Sequence, residues 1–478
     1  MATHADRRTL VVAGNGMVGH KLLELLVERG APAEWDIVTF CEEGRPAYDR
    51  VGLSSFFNGA SADELSLVAP GFFDRFGLTV HLGDAVASID PRAKAVTSSK
   101  GKRIPYDTLV LATGSYPFVP PVPGKDLAGC FVYRTLDDLE ALRAYAARCR
   151  VGAVVGGGLL GLEAANALRS LGLETHVVEF ADRLMPVQVD EGGGSVLRRR
   201  IEDLGVAVHT GMATTEIVAG DDGQATAMRF KEGDELPVDM VVFSAGIRPR
   251  DQLARDAGLA VGERGGVVVD DACRTSDPSI FAVGECALYG GRIYGLVSPG
   301  YQMARVAADR ILGGEATFTG ADMSTKLKLM GIDVASFGDA FANDPGSESI
   351  TYRDPVANVY KRLVLGPADR RGFRKVAGGI LVGDATVYQT LLQMCRGDMP
   401  TPDHPEELIF PARSGGGAPV GVGALPGTAM VCSCNNVDKG TICAAVAGGC
   451  DNVGAIKKIT KAGTGCGGCV PLVTEILR

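Results

Sequence analysis

Four cysteines near the carboxyl end of the sequence have the type and spacing of a metal centre. Cys432 and Cys434 form a C-x-C pair, and Cys466 and Cys469 form a C-x-x-C pair after 31 intervening residues. Thiolates select soft metals, so four of them predict either zinc or an iron–sulfur cluster. Zinc usually prefers two C-x2–4-C pairs, whereas glycine-flanked cysteines suit a loop whose N–H groups turn toward cluster sulfides. Spacing alone leaves both metals open.

Two glycine motifs of the form G-x-G-x-x-G predict dinucleotide binding. Each follows a short apolar run and precedes a helical pattern, which is the context in which the motif has this meaning. The first glycine permits a tight turn, the second lets the backbone approach a pyrophosphate, and the third lets the helix pack on the strand. The free N–H groups at the start of the helix would face the phosphates. The motifs begin 142 residues apart (156 minus 14) and comprise Gly14, Gly16 and Gly19, then Gly156, Gly158 and Gly161.

An acidic residue near the end of the next strand can bond the hydroxyls of an adenosine ribose. In the second unit this residue is Glu179, 18 residues after Gly161. In the first unit the spacing is longer and either Glu42 or Glu43 could serve; we favour Glu42. Glu179 favours NADH over NADPH because a carboxylate opposes a 2′-phosphate, although Arg183 could soften that preference.

The elements that must position these residues predict an α/β chain of several domains. Buried strands are expected at Leu10–Ala13, Asp36–Cys41, Val151–Val155 and His176–Glu179, and another that begins at Met240 and ends in a turn at Gly246. Beyond residue 320 the pattern becomes strand-like at 326–330, 359–365 and 376–382, followed by a helix at 388–395. This part predicts a separate α+β domain that serves packing or an interface.

The carboxyl-terminal stretch predicts a linker and a small helical module. Residues 411–429 are rich in glycine, which together with Ser414 keeps the segment flexible. Short helices are expected at 439–447 and 453–459, between the cysteine pairs. Cys443 and Cys450 do not share the paired spacing and are expected in the core.

Composition excludes several classes of function. The formal net charge of −9 over 478 residues argues against nonspecific nucleic-acid binding, which needs a basic surface. The amino-terminal residues lack the apolar region of a signal peptide, and no apolar run is long enough to span a bilayer. We therefore expect a soluble, cytoplasmic protein that binds neither nucleic acid nor membrane.

Taken together, these segments resemble a known family across almost the whole chain. Residues 1–410 resemble the FAD- and NAD-dependent reductases of rubredoxin and ferredoxin, and most closely the N-terminal half of the NADH-dependent assimilatory nitrite reductase large subunit. Residues 430–478 resemble the [2Fe-2S] domain of the bacterioferritin-associated-ferredoxin type. The phrases that carry the resemblance are 12–20 (VAGNGMVGH), 42–50 (EEGRPAYDR), 178–186 (VEFADRLMP) and the four paired cysteines.

The resemblance implies a domain organisation and three cofactors. It predicts two Rossmann-like domains of the glutathione-reductase type, an α+β interface domain and a helical [2Fe-2S] domain. FAD would bind to residues 1–118 and 250–315, and NAD(P)H to residues 119–249. The interface domain would span 316–410, the linker 411–429 and the cluster domain 430–478.

Matching motifs assign site residues to each cofactor. The [2Fe-2S] ligands are Cys432, Cys434, Cys466 and Cys469. The NAD(P)H contacts are Gly156, Gly158, Gly161, Glu179 and Gly246. The FAD contacts are Gly14, Gly16, Gly19, Glu42, Arg50, Val86, Thr113, Gly114, Arg134, Gly284 and Glu285.

Two residues are candidates for a catalytic role, and the chain departs from the family pattern in two places. Arg50 is a candidate for the group near the flavin. Two interpretations of Glu163 are open: it positions the nicotinamide, or it is a solvated helical acid. Glu285 stands where the family usually has Asp, and Ser55 where relatives often have Lys. The stretch 48–57 contains no redox cysteine, so electrons should leave the flavin for the cluster or an external acceptor.

The expected function is electron transfer from NADH through FAD and [2Fe-2S] to a partner reductase. NADH delivers two electrons as a hydride, a cluster accepts one at a time, and a flavin can exchange both kinds. Because no further cysteine cluster follows, we expect a separate nitrite or nitrate reductase subunit with siroheme or molybdenum; a homodimer is also allowed. The alternatives are a stand-alone ferredoxin or rubredoxin reductase and a redox or iron sensor.

Overall fold

The computed structural model describes residues 7–397, 399, 401–410, 422–433, 435–464 and 468–478. Its helices are α1 (Met17–Glu28), α2 (Phe72–Phe76), α3 (Leu136–Ala146), α4 (Leu159–Ser170), α5 (Glu191–Glu202), α6 (Gln252–Asp256), α7 (Val297–Ile311), α8 (Tyr388–Arg396), α9 (Lys439–Ala447), α10 (Val453–Thr460) and α11 (Val470–Ile476). Its strands are β1 (Arg8–Ala13), β2 (Trp35–Cys41), β3 (Thr79–Leu82), β4 (Val86–Asp90), β5 (Ala95–Ser98), β6 (Arg103–Pro105), β7 (Thr108–Leu111), β8 (Ser115–Pro117), β9 (Cys130–Val132), β10 (Val151–Val155), β11 (Glu174–Glu179), β12 (Val206–Thr210), β13 (Thr214–Ala219), β14 (Ala225–Phe230), β15 (Glu235–Pro237), β16 (Met240–Phe243), β17 (Ile247–Pro249), β18 (Val267–Val268), β19 (Ile280–Ala282), β20 (Ala287–Tyr289), β21 (Arg292–Ile293), β22 (Thr325–Leu329), β23 (Ile332–Gly338), β24 (Glu348–Asp354), β25 (Val359–Leu365), β26 (Val376–Val382), β27 (Met430–Cys432) and β28 (Val437–Asp438).

The described chain divides into two compact units. Unit one runs up to Tyr116 and resumes with Ile247–Asp322, and unit two comprises Pro117–Gly246 and the chain from Met323 onward. The predicted fold class, α/β with an antiparallel domain and a small terminal domain, is confirmed. The finer assignment of residue ranges to FAD, NAD(P)H, interface and cluster domains stays a prediction.

Unit one is built on a five-stranded parallel sheet in the order β19-β7-β1-β2-β3. Its central strands read as unbroken apolar runs because both faces of a parallel sheet are covered. Leu10, Val11 and Val12 are accordingly buried without exposure. Helix α1 packs against α7, and a small antiparallel sheet of β4, β5 and β6 completes the unit.

Unit two repeats this plan with a second parallel sheet, in the order β12-β11-β10-β16-β9. Strand β10 lies at its centre and is followed by α4, whose buried face includes Leu162, Ala165 and Leu168. The sequence placed this strand at the observed bounds, because a buried run bounded by a glycine turn is a strong local signal.

The predicted α+β domain contains an antiparallel sheet in the order β22-β23-β26-β25-β24, covered by α8. The sequence identified three of its strands but missed β23 and β24. Strand β24 is an edge strand with a mostly exposed or half-buried side-chain pattern, so it offers little hydrophobic signal. Within the described part of the chain, no helix is both long and apolar enough to cross a bilayer.

The terminal residues correct two expectations. Residues 411–421 of the predicted linker lie outside the described residues, but two residues of the following stretch are packed: Leu425 is 3% exposed and Ala429 is 0% exposed. Lys439 Nζ holds this stretch by donating to the carbonyl of Leu425 at 2.7 Å. Cys450 is buried as expected, whereas Cys443 is exposed on α9 and is not a core residue.

Candidate dinucleotide and cluster sites

Several of the residues predicted for FAD follow the strand ends at one edge of the first sheet. The chain runs from β1 to β2 on one side and reaches β7 and β19 on the other, so the winding reverses between β1 and β7. At such a switch point the carboxyl ends of the strands leave a crevice that binds ligands in α/β sheets. The groups that follow these carboxyl ends are Gly14 after β1, Thr113 and Gly114 after β7, and Gly284 and Glu285 after β19.

The three glycines of the first turn have different neighbours. Gly14 has φ +112°, and a Cβ there would lie 2.3 Å from the carbonyl oxygen of Ala112. A Cβ on Gly19 would lie 2.2 Å from the carbonyl oxygen of Gly14. A Cβ on Gly16 would meet no described protein atom within 4 Å. The protein itself requires the outer glycines, whereas open space beside Gly16 fits a pyrophosphate.

The amino end of α1 offers donors to that space. Gly16 is its N-cap, and no side chain among the described residues caps it. Uncapped N–H groups and the positive end of the helix dipole favour a phosphate. Asn15, inside the turn, fixes the following loop by accepting the N–H of Ala47 at 3.1 Å. Its Nδ2 is buried and has no hydrogen-bond partner within the described chain, and sequence reasoning missed this residue.

The two acids after β2 have different surroundings. The Glu42 side chain is 59% exposed and pairs with Arg250. Glu43 is 17% exposed and accepts hydrogen bonds from Tyr48 and Arg50. Glu43 is therefore committed to the loop that carries Arg50, while Glu42 lies at the surface. The choice of Glu42 as the ribose acid stays a prediction.

Arg50, the predicted group near the flavin, is fixed by its neighbours. Its guanidinium carbon lies 4.9 Å from the centroid of the Tyr48 ring, and it pairs with Glu43. Although burial alone would lower the pKa of Arg50, Tyr48 and Glu43 raise it. Arg50 therefore carries a permanent positive charge that is largely balanced inside the loop.

The remaining FAD candidates of unit one are held by short contacts. Glu285 accepts a hydrogen bond of 2.6 Å from the Ser115 hydroxyl, a partner that the sequence did not suggest. Thr113 Oγ1 donates to the carbonyl of Arg250 at 2.7 Å. A Cβ on Gly284 would lie 3.2 Å from Val18 of α1, so the last motif packs on the first turn. Val86 is buried at the start of β4.

The second unit reproduces the glycine geometry. Gly156 has φ +115°, and a Cβ there would lie 2.3 Å from the carbonyl oxygen of Ser244. A Cβ on Gly161 would lie 1.9 Å from the carbonyl oxygen of Gly156, whereas one on Gly158 would meet no described protein atom within 4 Å. Gly246 has φ +110° and follows β16, across the switch point from β10. This turn too has space for a pyrophosphate beside its middle glycine.

Glu179 closes the second turn with its carboxylate. One oxygen accepts the N–H of Gly157 at 2.6 Å and the other accepts the N–H of Ala181 at 2.7 Å. Arg183 is engaged elsewhere: it donates to Asp182 at 2.7 Å and to the carbonyl of Val189 at 3.0 Å. Phe180, beside Glu179, is 79% exposed.

Two other candidates lie in unit two away from this turn. Glu163 is half-buried on α4, between buried Leu162 and Ala164. Arg134, which the resemblance assigned to FAD, follows β9 and is half-buried. Their roles stay predictions.

The cluster site brings the two cysteine loops together. Cys432 ends β27, Cys469 precedes α11, and both are buried. A hydrogen bond from the Cys469 thiol lowers the pKa of Cys432 to about 6, against the effect of burial. A sulfur that is readily deprotonated beside a second sulfur fits a thiolate-ligated metal group. Cys434 and Cys466 lie outside the described residues.

Asn435 ties the loops to each other. Its Nδ2 donates to the carbonyl of Lys461 at 2.7 Å and to the Thr464 hydroxyl at 3.0 Å. Sequence reasoning missed this residue, although an amide three residues after Cys432 is a polar group that can reach the loop before the second cysteine pair.

Three known protein families match successive parts of the chain. Residues 8–310 match the pyridine nucleotide-disulphide oxidoreductase family, 324–397 the rubredoxin NAD+ reductase C-terminal domain, and 430–478 the BFD-like [2Fe-2S] binding domain. The chain is 56% identical to a nitrite reductase [NAD(P)H] large subunit of Klebsiella oxytoca, over 98% of this chain and 48% of that protein. It is 36% identical to an assimilatory nitrate reductase electron transfer subunit of Bacillus subtilis, over 99% of this chain and 60% of that protein.

A solved structure shares the same fold. A ferredoxin reductase from Rhodopseudomonas palustris is 28% identical with a TM-score of 0.71, over 80% of this chain and 93% of that chain. The chain spans only about half the length of the curated relatives it matches. It covers 48% of the Klebsiella oxytoca protein and 60% of the Bacillus subtilis protein.

Two parallel sheets with glycine turns at their switch points define a pyridine-nucleotide flavoprotein reductase. The chain belongs to the pyridine nucleotide-disulphide oxidoreductase family, and a BFD-like [2Fe-2S] domain follows. It is an NAD(P)H-dependent flavoprotein oxidoreductase whose cofactors are FAD, NAD(P)H and a [2Fe-2S] cluster. The zinc alternative that spacing left open is wrong.

Proposed function

We propose that this chain carries electrons from NADH to a catalytic centre for nitrite or nitrate reduction in nitrogen assimilation. FAD, when bound, accepts a hydride and releases single electrons, which connects NADH to a one-electron cluster. The main observation in support of the proposal is that one chain contains two dinucleotide-binding turns and a cysteine domain. The relatives named as nitrite reductase large subunit and nitrate reductase electron transfer subunit support it over 98% and 99% of this chain.

In this proposal the first unit binds FAD. The uncapped N–H groups of α1, beside Gly16, would hold the pyrophosphate, because the site offers donors and space. Glu42 would bond the ribose, and Glu285, already oriented by Ser115, would meet the ribityl chain. Arg50, with its permanent charge, would lie near the flavin; Val86, Thr113, Gly114 and Gly284 would complete the part of the site that unit one supplies.

The second unit would bind NADH in preference to NADPH. A 2′-phosphate brought to Glu179 would face a carboxylate that two N–H groups hold in place. Arg183 would give little compensation, because Asp182 and the carbonyl of Val189 engage its guanidinium. Glu163 would position the nicotinamide, and Gly156, Gly158, Gly161 and Gly246 would form the phosphate and nicotinamide turns.

Cys432, Cys434, Cys466 and Cys469 would ligate the cluster. Because the described pair, Cys432 and Cys469, approaches from two loops, each loop must be ordered for the cluster to assemble. Asn435 supplies that order by bridging to Lys461 and Thr464. The final acceptor would be a siroheme or molybdenum protein in the cytoplasm, and the chain itself could act as a homodimer.

An anaerobic titration with NADH tests the proposal. We expect flavin bleaching and an EPR signal of a reduced [2Fe-2S] cluster, with nitrite consumed only after a siroheme or molybdenum partner is added. Cys432→Ser should abolish the EPR signal and leave flavin bleaching intact. Protein that reduces its flavin but never its cluster would contradict the proposed route.

A second candidate is a stand-alone ferredoxin or rubredoxin reductase, in which the cluster is an internal relay. The match of residues 324–397 to the rubredoxin NAD+ reductase C-terminal domain favours it. Rapid reduction of rubredoxin or ferredoxin with NADH, without any gain of nitrite reduction from added partner, would select this candidate. Slow NADH-dependent reduction of dyes would instead point to a sensor.

A further inference from the structure

Helix α8 contacts the segment that carries the first cluster cysteine. Gln393 Nε2 donates to the carbonyl of Met430 at 2.9 Å, and the Gln393 side chain is fully buried. One turn later, the Arg396 guanidinium lies 3.4 Å from the Ser433 hydroxyl. Both contacts lie within unit two.

These two contacts lie on either side of Cys432. Met430 begins β27, Cys432 ends it, and Ser433 is the residue between the two cysteines of the C-x-C pair. Residues three apart on a helix project from the same face. Gln393 and Arg396 therefore hold the backbone before the cysteine and the side chain after it.

Helix α8 is a rigid support for this contact. Tyr388, Leu391, Leu392 and Met394 are buried in the core of the antiparallel domain. The Cys395 thiol donates to the carbonyl of Ala377 on β26 at 3.2 Å. A helix fixed by its own core can hold a partner segment more precisely than a loop can.

We propose that Gln393 and Arg396 are positioning residues that hold the cluster loop on α8, and that the charge of Arg396 favours the reduced cluster. The proposal rests on the cysteine ligands proposed above. Four thiolates around two irons leave the group negatively charged, and reduction by one electron adds one negative charge. An arginine stays protonated at every accessible pH, so its positive charge beside the ligand turn stabilises the more negative state.

A redox titration of the full-length holoprotein, followed by EPR of the cluster, tests the role of the charge. At one fixed potential, Arg396→Gln should lower the ratio of reduced to oxidised cluster by roughly tenfold, the order expected when one unit charge beside the ligand turn is removed near a protein surface. Arg396→Lys, which keeps the charge, should stay within about threefold of wild type. Arg371→Gln, which removes the same charge from an exposed turn of the same domain, should leave the ratio unchanged. An unchanged ratio in Arg396→Gln would overturn the proposal.

The positioning role has a separate readout. Gln393→Leu and Ser433→Ala keep the arginine but remove one contact each, so hydrogen exchange at Val431 and Cys432 should become faster while the redox ratio changes little. Unchanged exchange in both variants would overturn this part. Loss of iron from Arg396→Gln with Arg396→Lys intact would support the charge role, and loss from both would contradict it.

These experiments distinguish a failure of the proposed role of Arg396 from a failure of the proposed cysteine ligands. Wild-type protein without a [2Fe-2S] signal would refute the proposed ligands. A normal signal in wild type with identical titrations for Arg396→Gln and Arg371→Gln would refute only the role of Arg396.

Discussion

The two glycine-turn units share one plan but end their second strand differently. In unit one Ala13 pairs with Phe40, and in unit two Val155 pairs with Val178. The next residue in register is Cys41 in the first unit and Glu179 in the second. The buried thiol therefore occupies the place that the carboxylate holds in the other unit.

This exchange gives the two turns different chemistry. Glu179 binds the N–H of Gly157 inside its own turn. Cys41 stays protonated, since burial raises its pKa to about 11, and it donates to the carbonyl of Arg45 at 3.3 Å. Glu42, the predicted ribose acid of the first unit, is one residue further along the chain and lies at the surface. Glu42 lies 23 residues after Gly19 (42 minus 19), whereas Glu179 lies 18 residues after Gly161. The displacement accounts for one of these five extra residues, and the other four lie between the end of α1 and Cys41. The two units need not recognise a ribose in the same way.

The largest effect should come from the first glycine of each turn. Gly14→Ala would force a Cβ into the carbonyl of Ala112 at a φ that only glycine tolerates, so we expect a loss of about 3–5 kcal/mol of stability together with FAD. Gly156→Ala should retain FAD but fail to react with NADH. Flavin content, thermal unfolding and NADH-dependent flavin bleaching measure these outcomes.

The middle glycines provide the matched control. Gly16→Ala and Gly158→Ala meet no described protein atom, so both should fold normally and each should weaken only its own cofactor. FAD lost from Gly158→Ala but kept in Gly16→Ala would reverse the assignment of the two units.

A smaller effect is expected at the position where the units differ. Glu179→Ala should lower kcat/KM for NADH by about 10- to 100-fold, because it removes a charged hydrogen-bonding group from the turn, and should lower it less for NADPH. Cys41→Ala at the equivalent position should retain FAD and NADH kinetics. Equal losses for both nucleotides in Glu179→Ala would show that Glu179 does not discriminate between them.

The loop after Glu179 leads to helix α5, whose N-cap residue Asp190 should make the stability of the fold depend on pH. Asp190 caps α5 through the N–H of Gly193 at 2.9 Å and accepts from Tyr360 at 2.6 Å and Arg362 at 2.8 Å on β25. Burial pushes the pKa of Asp190 up, but these hydrogen bonds hold it below its ordinary value. A depressed folded-state pKa adds stability above the unfolded pKa, and that stability is lost as the pH falls through the folded value.

Asp190→Asn should therefore cost about 2 kcal/mol at pH 7. The difference from wild type should begin to shrink below about pH 4, the ordinary pKa of an Asp in the unfolded chain, and should be lost as the pH falls through the lower folded-state value. Urea unfolding of both proteins at the two pH values measures it. A constant difference would mean that the charge of Asp190 contributes nothing to the contact.

The smallest effect concerns the loop after the first unit's acid. Tyr48→Phe removes the hydroxyl that donates to Glu43 at 2.7 Å and should cost about 1 kcal/mol while FAD is retained. Urea unfolding and flavin content measure this variant. A loss of FAD would show that the Tyr48 hydroxyl contributes to FAD binding and not only to the stability of the loop.

Much of the site was predictable because its signals are local. The glycine turns follow from three residues at fixed offsets beside a buried strand, and helix α9 was predicted at its observed bounds. Asn435, Ser115 and Gln393 were missed, since each acts on a residue distant in sequence: Ser115 bonds Glu285, 170 positions away. Cys443 was misplaced because the type of a residue does not say which face of a short helix packs.

The sequence by itself determined the two glycine turns, the spacing of the four cysteines and the fold class, because short-range sterics and ligand chemistry depend on residue type and spacing. Only the tertiary structure decided that Cys41 takes the place of Glu179, that Glu43 is tied to Arg50, and that α8 contacts the cluster loop. Strand register and long-range packing set these contacts, and both are fixed by the burial of whole faces rather than by any local pattern.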